Sequence, residues 1–170
     1  MTTYGNVAAF KAYHLARGKS ISVSWTDDMI NAALLLCSDW LDNQYGDLWS
    51  GFPTGGFTQG RLWPRTNAGT NTYPQYIFTT SEIPANIDNA VYEVAFRELT
   101  TPGSVQKDYT PNKYNKVSVN GAISVEYNAS VIQSSDLQLQ IPIVESLMKP
   151  LINPSAQGSF SLYSGGSERV

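Results

Sequence analysis

The sequence predicts a mainly α protein, a small bundle of about four helices carrying a β-hairpin and an extended C-terminal arm. Three observations predict it. Apolar residues recur at spacings of three and four over two long stretches, 27–45 and 83–99. Residues 116–127 instead alternate around an Asn-Gly pair, and 153–170 are polar and glycine-containing. At 170 residues the chain fits one body over 1–152, with a long loop at 47–82 and the hairpin at 114–127, followed by the arm at 153–170.

Asn6 is placed to cap a first helix over roughly 7–17, with Val7, Phe10 and Tyr13 or His14 on one side and Gly18 to stop it. The second helix is the clearest. Thr26 caps it, Asp27 and Asp28 suit the dipole of its first turn, and Ile30, Ala33, Leu34, Cys37, Trp40, Leu41 and Tyr45 form its apolar stripe. Gly46 is placed to end it. Ile83-Pro84 opens a third helix with Ile87, Ala90, Val91, Val94, Ala95 and Leu99 on one face, closed by Thr101-Pro102-Gly103. In the hairpin, Val117 and Val119 precede Asn120-Gly121, and Ile123, Val125 and Tyr127 follow, which favours a two-residue turn. A last helix runs from Pro142 to about Ile152 with Ile143, Val144, Leu147, Met148 and Leu151 apolar, its end distorted by Pro150.

Between the second and third helices, 47–82 has no periodicity and is rich in aromatic residues. A connection longer than about 12–15 residues is usually functional or ordered by a partner. Its centre, Arg61-Leu62-Trp63-Pro64-Arg65, puts two arginines around a Trp-Pro pair. Trp63 could stack on unpaired bases. Alternatively it packs on the helices, Pro64 fixes the backbone, and Arg61 and Arg65 bind carboxylates, either locking the loop or joining a neighbouring subunit.

Composition narrows the chemistry. Charged residues make up 15%, well below the roughly 25% of soluble domains, so the surface costs little to desolvate and suits protein interfaces. The net charge is −3 and 11 Lys and Arg are scattered along the chain, so binding driven by phosphate charge is not expected. The single cysteine, Cys37, and single histidine, His14, both fall on apolar helix faces, leaving no disulfide, no metal cluster and no catalytic triad. Asp27-Asp28 suit a helix start, and Asp39 and Asp42 read as the exposed face of the second helix. Gly51, Gly55 and Gly56 lack the lysine of a phosphate loop. The reading is a non-enzyme with no cofactor. MTTYGNVAAF has no signal-peptide pattern and no run has the length of a membrane span, which predicts assembly in a cytoplasm without membrane contact.

In order along 4–152, Tyr4-Gly5, AYHLARG (12–18), SDWLDNQYG (38–46), QGRLWPRT (59–66), IPANIDNAVYEVAFREL (83–99) and the hairpin end Val125-Glu126-Tyr127 resemble the head-to-tail connector family of tailed bacteriophages. Members of that family also carry the label of DnaT-like single-stranded DNA-binding proteins. The resemblance implies a structural virion protein, a head-to-tail adaptor in the neck, forming a homo-oligomeric ring of commonly twelve copies. Its partners would be the portal and the tail or neck-completion protein, with DNA passing through the lumen without sequence-specific binding. It further implies that the hairpin (Val117, Val119, Ile123, Val125, Tyr127) and the arm contact neighbours and that Trp63-Pro64-Arg65 lock the loop. Phe160, Leu162 and Tyr163, near-alternate in the arm that also carries Arg169, could add as a strand to a neighbour's sheet edge. The other expectation is the label's own, a single-stranded DNA-binding protein acting in replication.

Overall fold

The computed structural model describes residues 2–72, 75–105 and 139–153 with their side chains, and the backbone of two further strands at 116–119 and 123–126. Local capping sets the helix starts. Asn6 Oδ1 accepts from the Ala9 N–H at 2.9 Å and opens α1, Val7–Leu15. Thr26 Oγ1 accepts from the Met29 N–H at 3.2 Å and opens α2, Asp27–Tyr45. Each cap satisfies an amide that has no intrahelical partner. The third helix, α3, is Ala85–Thr100, with Pro84 just before its first turn. The fourth, α4, is Pro142–Met148, about one turn shorter than a helix to Ile152 would be, because Pro150 cannot continue the ladder.

The protein is mainly α, and the described residues form four helices and a two-stranded antiparallel hairpin. The chain divides into two units, 1–105 with 141–170 and 106–140. In the first, α2 and α3 pack together, and α3 also touches α1 and α4. Ile30, Leu34 and Leu41 from α2, Ile87, Val91 and Val94 from α3, Val144 and Met148 from α4 and Phe10 from α1 are all completely buried. Each such side chain contributes about 1.5–3 kcal/mol when withdrawn from water, which makes this junction the main source of stability. Ile143, expected in the stripe of α4, is exposed instead. In the second unit, β3 (Lys116–Val119) pairs with β4 (Ile123–Glu126) in the register Val119↔Ile123. Residues 120–122 therefore connect the strands, one more than the Asn-Gly pair alone predicts.

The described residues of the 47–82 stretch are held by their own chain. A 3-10 turn at Gly46–Leu48 carries α2 into it, and β1 (Phe52–Pro53) pairs antiparallel with β2 (Arg65–Thr66). Single bridges join Gly69 to Ile77 and Trp49 to Ile152, tying the segment to itself and to the chain after α4. Gly46 sits at an ordinary helical φ of −55°, so it is there for space: a Cβ would run into the Leu62 side chain. The expectation that a partner orders this loop gives way to pairing and packing within the chain.

Candidate functional site

Residues 61–65 are largely withdrawn from solvent. Trp63 is 2% exposed and both arginines are buried. Arg61 forms ion pairs with Asp39 and, at 3.4 Å, Asp42, and its Nε donates to the Thr2 carbonyl at 2.7 Å. Asp42 also accepts from the Tyr4 hydroxyl at 2.6 Å, and that hydroxyl accepts from the Trp63 N–H at 3.0 Å. Ser38 completes the tie, accepting from the Tyr4 N–H at 3.0 Å while donating to Leu34 O. Burial raises the Asp42 carboxyl above the usual carboxylate range despite Tyr4 and Arg61, and burial beside Asp42 raises the Tyr4 phenol. Asp42 was expected on an exposed face. It is drawn inward because Arg61, from the loop, lies over that part of α2.

Arg65 works through backbone. Its guanidinium donates to the carbonyls of Ser50 at 2.8 Å, Gly51 at 2.6 Å and Leu62 at 3.3 Å. The fork of donors on arginine fits such convergent acceptors, so one side chain holds two turns together. Pro64, joined to Trp63 by a cis peptide bond, gives its carbonyl to the Thr54 N–H and the Gln59 side chain. Both guanidiniums are thus engaged inside the chain, and Trp63 offers no face to a base. Of the alternatives left open by the sequence, loop anchoring is the one these contacts make.

What the segment does expose lies elsewhere. Trp49, Trp63, Phe78 and Tyr76 form a row of edge-on contacts with centroid separations of 6.0, 5.5 and 5.0 Å. The row starts in the core and ends at Tyr76, which is half exposed, while Phe52 is also half exposed and Phe57 is fully exposed. Aromatic rings held by the folded chain and left facing water are the feature that the sequence suggested at Trp63 and the structure shows at other residues. Their signal in the sequence was Phe and Tyr among Gly, Thr and Asn, which periodicity cannot separate from Trp63.

The charged groups are mostly paired. Glu93, buried on α3, holds Lys19 at 2.9 Å and Arg97 at 3.3 Å and accepts from Tyr13. Burial pushes its carboxyl up, but Lys19, His14 and Tyr13 together outweigh that and hold it below its ordinary value. Lys11 pairs with Asp27 at 2.6 Å. Among the described residues, Arg17 and Lys149 are exposed cations outside any salt bridge, and Arg17 lies over the Tyr13 ring. His14 is buried among Phe10, Tyr13 and Phe96, its Nε2 at 3.0 Å from the Tyr92 carbonyl. Cys37 is buried, its thiol pushed up to about 12 by burial. Among the described residues no group of three or more His, Cys, Asp or Glu could hold a metal, and no helix is long and apolar enough to cross a membrane.

The hairpin side chains Val117, Val119, Ile123, Val125 and Tyr127 and the arm residues Phe160, Leu162, Tyr163 and Arg169 lie outside the residues described with side chains. No curated protein and no solved structure matches the chain significantly. A family described as "Putative DnaT-like ssDNA binding protein" matches residues 1–165. This match corrects the head-to-tail connector expectation, with its portal-binding, ring-forming and virion-neck roles. With nearly its whole length matched, the chain belongs to the DnaT-like ssDNA-binding family.

Proposed function

We propose that the protein is a non-enzymatic binder of single-stranded DNA, the second of the two expectations from the sequence. The family match over 1–165 carries this reading. The described residues between 49 and 80 support it by presenting Phe52, Phe57 and Tyr76 to solvent. Unpaired bases stack on such rings irrespective of sequence, each contact contributing about 1–3 kcal/mol. Attraction to phosphate contributes less, because the chain carries a net charge of −3 and most of its described cations are engaged with its own carboxylates or carbonyls.

The test is a titration of a labelled single strand with wild-type protein and with Phe57→Ala and Tyr76→Ala. Phe57 is fully exposed, so its removal leaves the core untouched. Weaker strand binding at unchanged melting temperature supports stacking on these rings. Equal binding by wild type and both variants removes the rings from the interface.

A further inference from the structure

Beside the exposed end of the aromatic row lies a cleft of about 280 Å³. Its walls are held by contacts within the loop and between the loop and the chain after α4. Asn71 donates through its side-chain amide to the carbonyls of Lys149 at 2.7 Å and Ile152 at 2.9 Å, and its backbone N–H donates to Pro150 O at 2.8 Å. Thr70 and Tyr76 exchange hydrogen bonds, Thr70 N–H to Tyr76 O at 2.8 Å and Tyr76 N–H to Thr70 Oγ1 at 2.9 Å. The bridges Gly69↔Ile77 and Trp49↔Ile152 hold the two apolar lining residues, Ile77 and Ile152, in place.

The chemistry of the lining is specific in what it omits and in what it offers. Not one of the residues lining the cleft is charged, so nothing in the lining itself would hold a phosphate or another ion. Carboxamides surround it instead. Asn67 and Gln75 make no side-chain hydrogen bond among the described residues, and Asn71, with both amide hydrogens committed at one end, keeps its oxygen as an acceptor. A carboxamide offers a donor and an acceptor in one plane, the pairing that matches the edge of a base. Two isoleucines supply apolar contact for a ring. Lys149, whose carbonyl holds Asn71, is an exposed cation close by in the chain for the phosphate that a strand would bring.

We infer that this cleft takes one unpaired nucleobase, read by the amides of Asn67 and Gln75. The inference deepens the single-strand reading and rests on it for the source of the base; a free nucleoside has the same chemistry. The experiment uses the full chain with isoleucine methyl labels, titrated separately with the deoxynucleosides, inorganic phosphate and a single-stranded oligonucleotide. Asn67 sits at φ 57°, where alanine would be strained, so the variant is Asn67→Gly with Gln75→Ala.

The expected result is movement of the Ile77 and Ile152 methyl signals with nucleoside and oligonucleotide but not with phosphate. The double variant binds the oligonucleotide about tenfold more weakly at unchanged melting temperature. If the oligonucleotide binds while those methyls stay still and the variant matches wild type, the cleft assignment is overturned and strand binding stands. Methyl shifts with nucleosides and no oligonucleotide binding keep the cleft and overturn the strand reading. Shifts with phosphate alone make the cleft an anion site and overturn the inference. A protein that responds to none of the three overturns both.

Discussion

The hydroxyl of Tyr4 is bonded to Asp42 at 2.6 Å and to the Trp63 amide at 3.0 Å, so one side chain near the N-terminus joins α2 to the segment that follows it. Tyr4 is 1% exposed. Tyr4→Phe keeps the ring and deletes both bonds, leaving the Trp63 N–H buried and unpaired. The expected cost is about 1–3 kcal/mol, read as a lowered urea midpoint with an unchanged slope. A midpoint equal to wild type would mean the network contributes nothing net.

His14 makes stability depend on pH. Burial lowers its pKa most, and Lys19 and Arg17 also disfavour the charged ring, while the Tyr92 carbonyl and Glu93 favour it. With the native value below the ordinary one of about 6.5, the unfolded chain binds the extra proton. The contribution of His14 is therefore complete above about pH 6.5 and is lost as pH falls through the lowered native value. Glu93, also lowered, loses its contribution only further down, below the ordinary glutamate range. His14→Phe is expected to flatten the wild-type decline in urea midpoint between pH 7 and pH 5. Parallel curves for the two proteins would rule out the histidine.

Two glycines separate backbone strain from collision. Gly18 has φ +71° with open space around it, so Gly18→Ala costs only the left-handed penalty, about 1–2 kcal/mol. Gly51 has φ +68°, and a Cβ there would strike the backbone of Thr66 and Ala68, which cannot yield without breaking the β1–β2 turn. Gly51→Ala is expected to lower the melting temperature distinctly more than Gly18→Ala. Equal losses would show that the segment adjusts.

Cys37 reports whether the helical core is closed. Its buried thiol, with a pKa pushed up to about 12, has almost no thiolate at neutral pH. Native protein at pH 8 is expected to leave a thiol reagent unconsumed and to react fully in denaturant. Rapid labelling of the native protein would contradict the packing of α2 on α3.

Legibility followed the range of the forces. Asn6 and Thr26 were readable as caps because their partners lie three residues on, and the stripe of α3 was readable because burial repeats with the helical turn. The end of α4, expected at about Ile152, comes earlier because Pro150 stops the helix before it rather than distorting its last turn. The order of 47–82 was not readable: Arg65 holds carbonyls 14 and 15 residues away, and carbonyls carry no sequence signature. Asp42 was misplaced for a similar reason, since its partner Arg61 is 19 residues distant in a segment without periodicity. The arginines drew attention correctly, but as anchors. The exposed Phe52, Phe57 and Tyr76 are separable from buried Trp49 and Trp63 only once the chain is folded.

The central claim is that the protein binds unpaired strands, and it is tested most directly by fluorescence anisotropy. A labelled single-stranded oligonucleotide and its duplex are compared across a salt series. Stacking predicts saturable binding of the single strand, preference over the duplex, and a shallow salt dependence, because few described cations are free to meet phosphates. No binding of the single strand at any salt concentration, or equal binding of the duplex with a steep salt dependence, would contradict it.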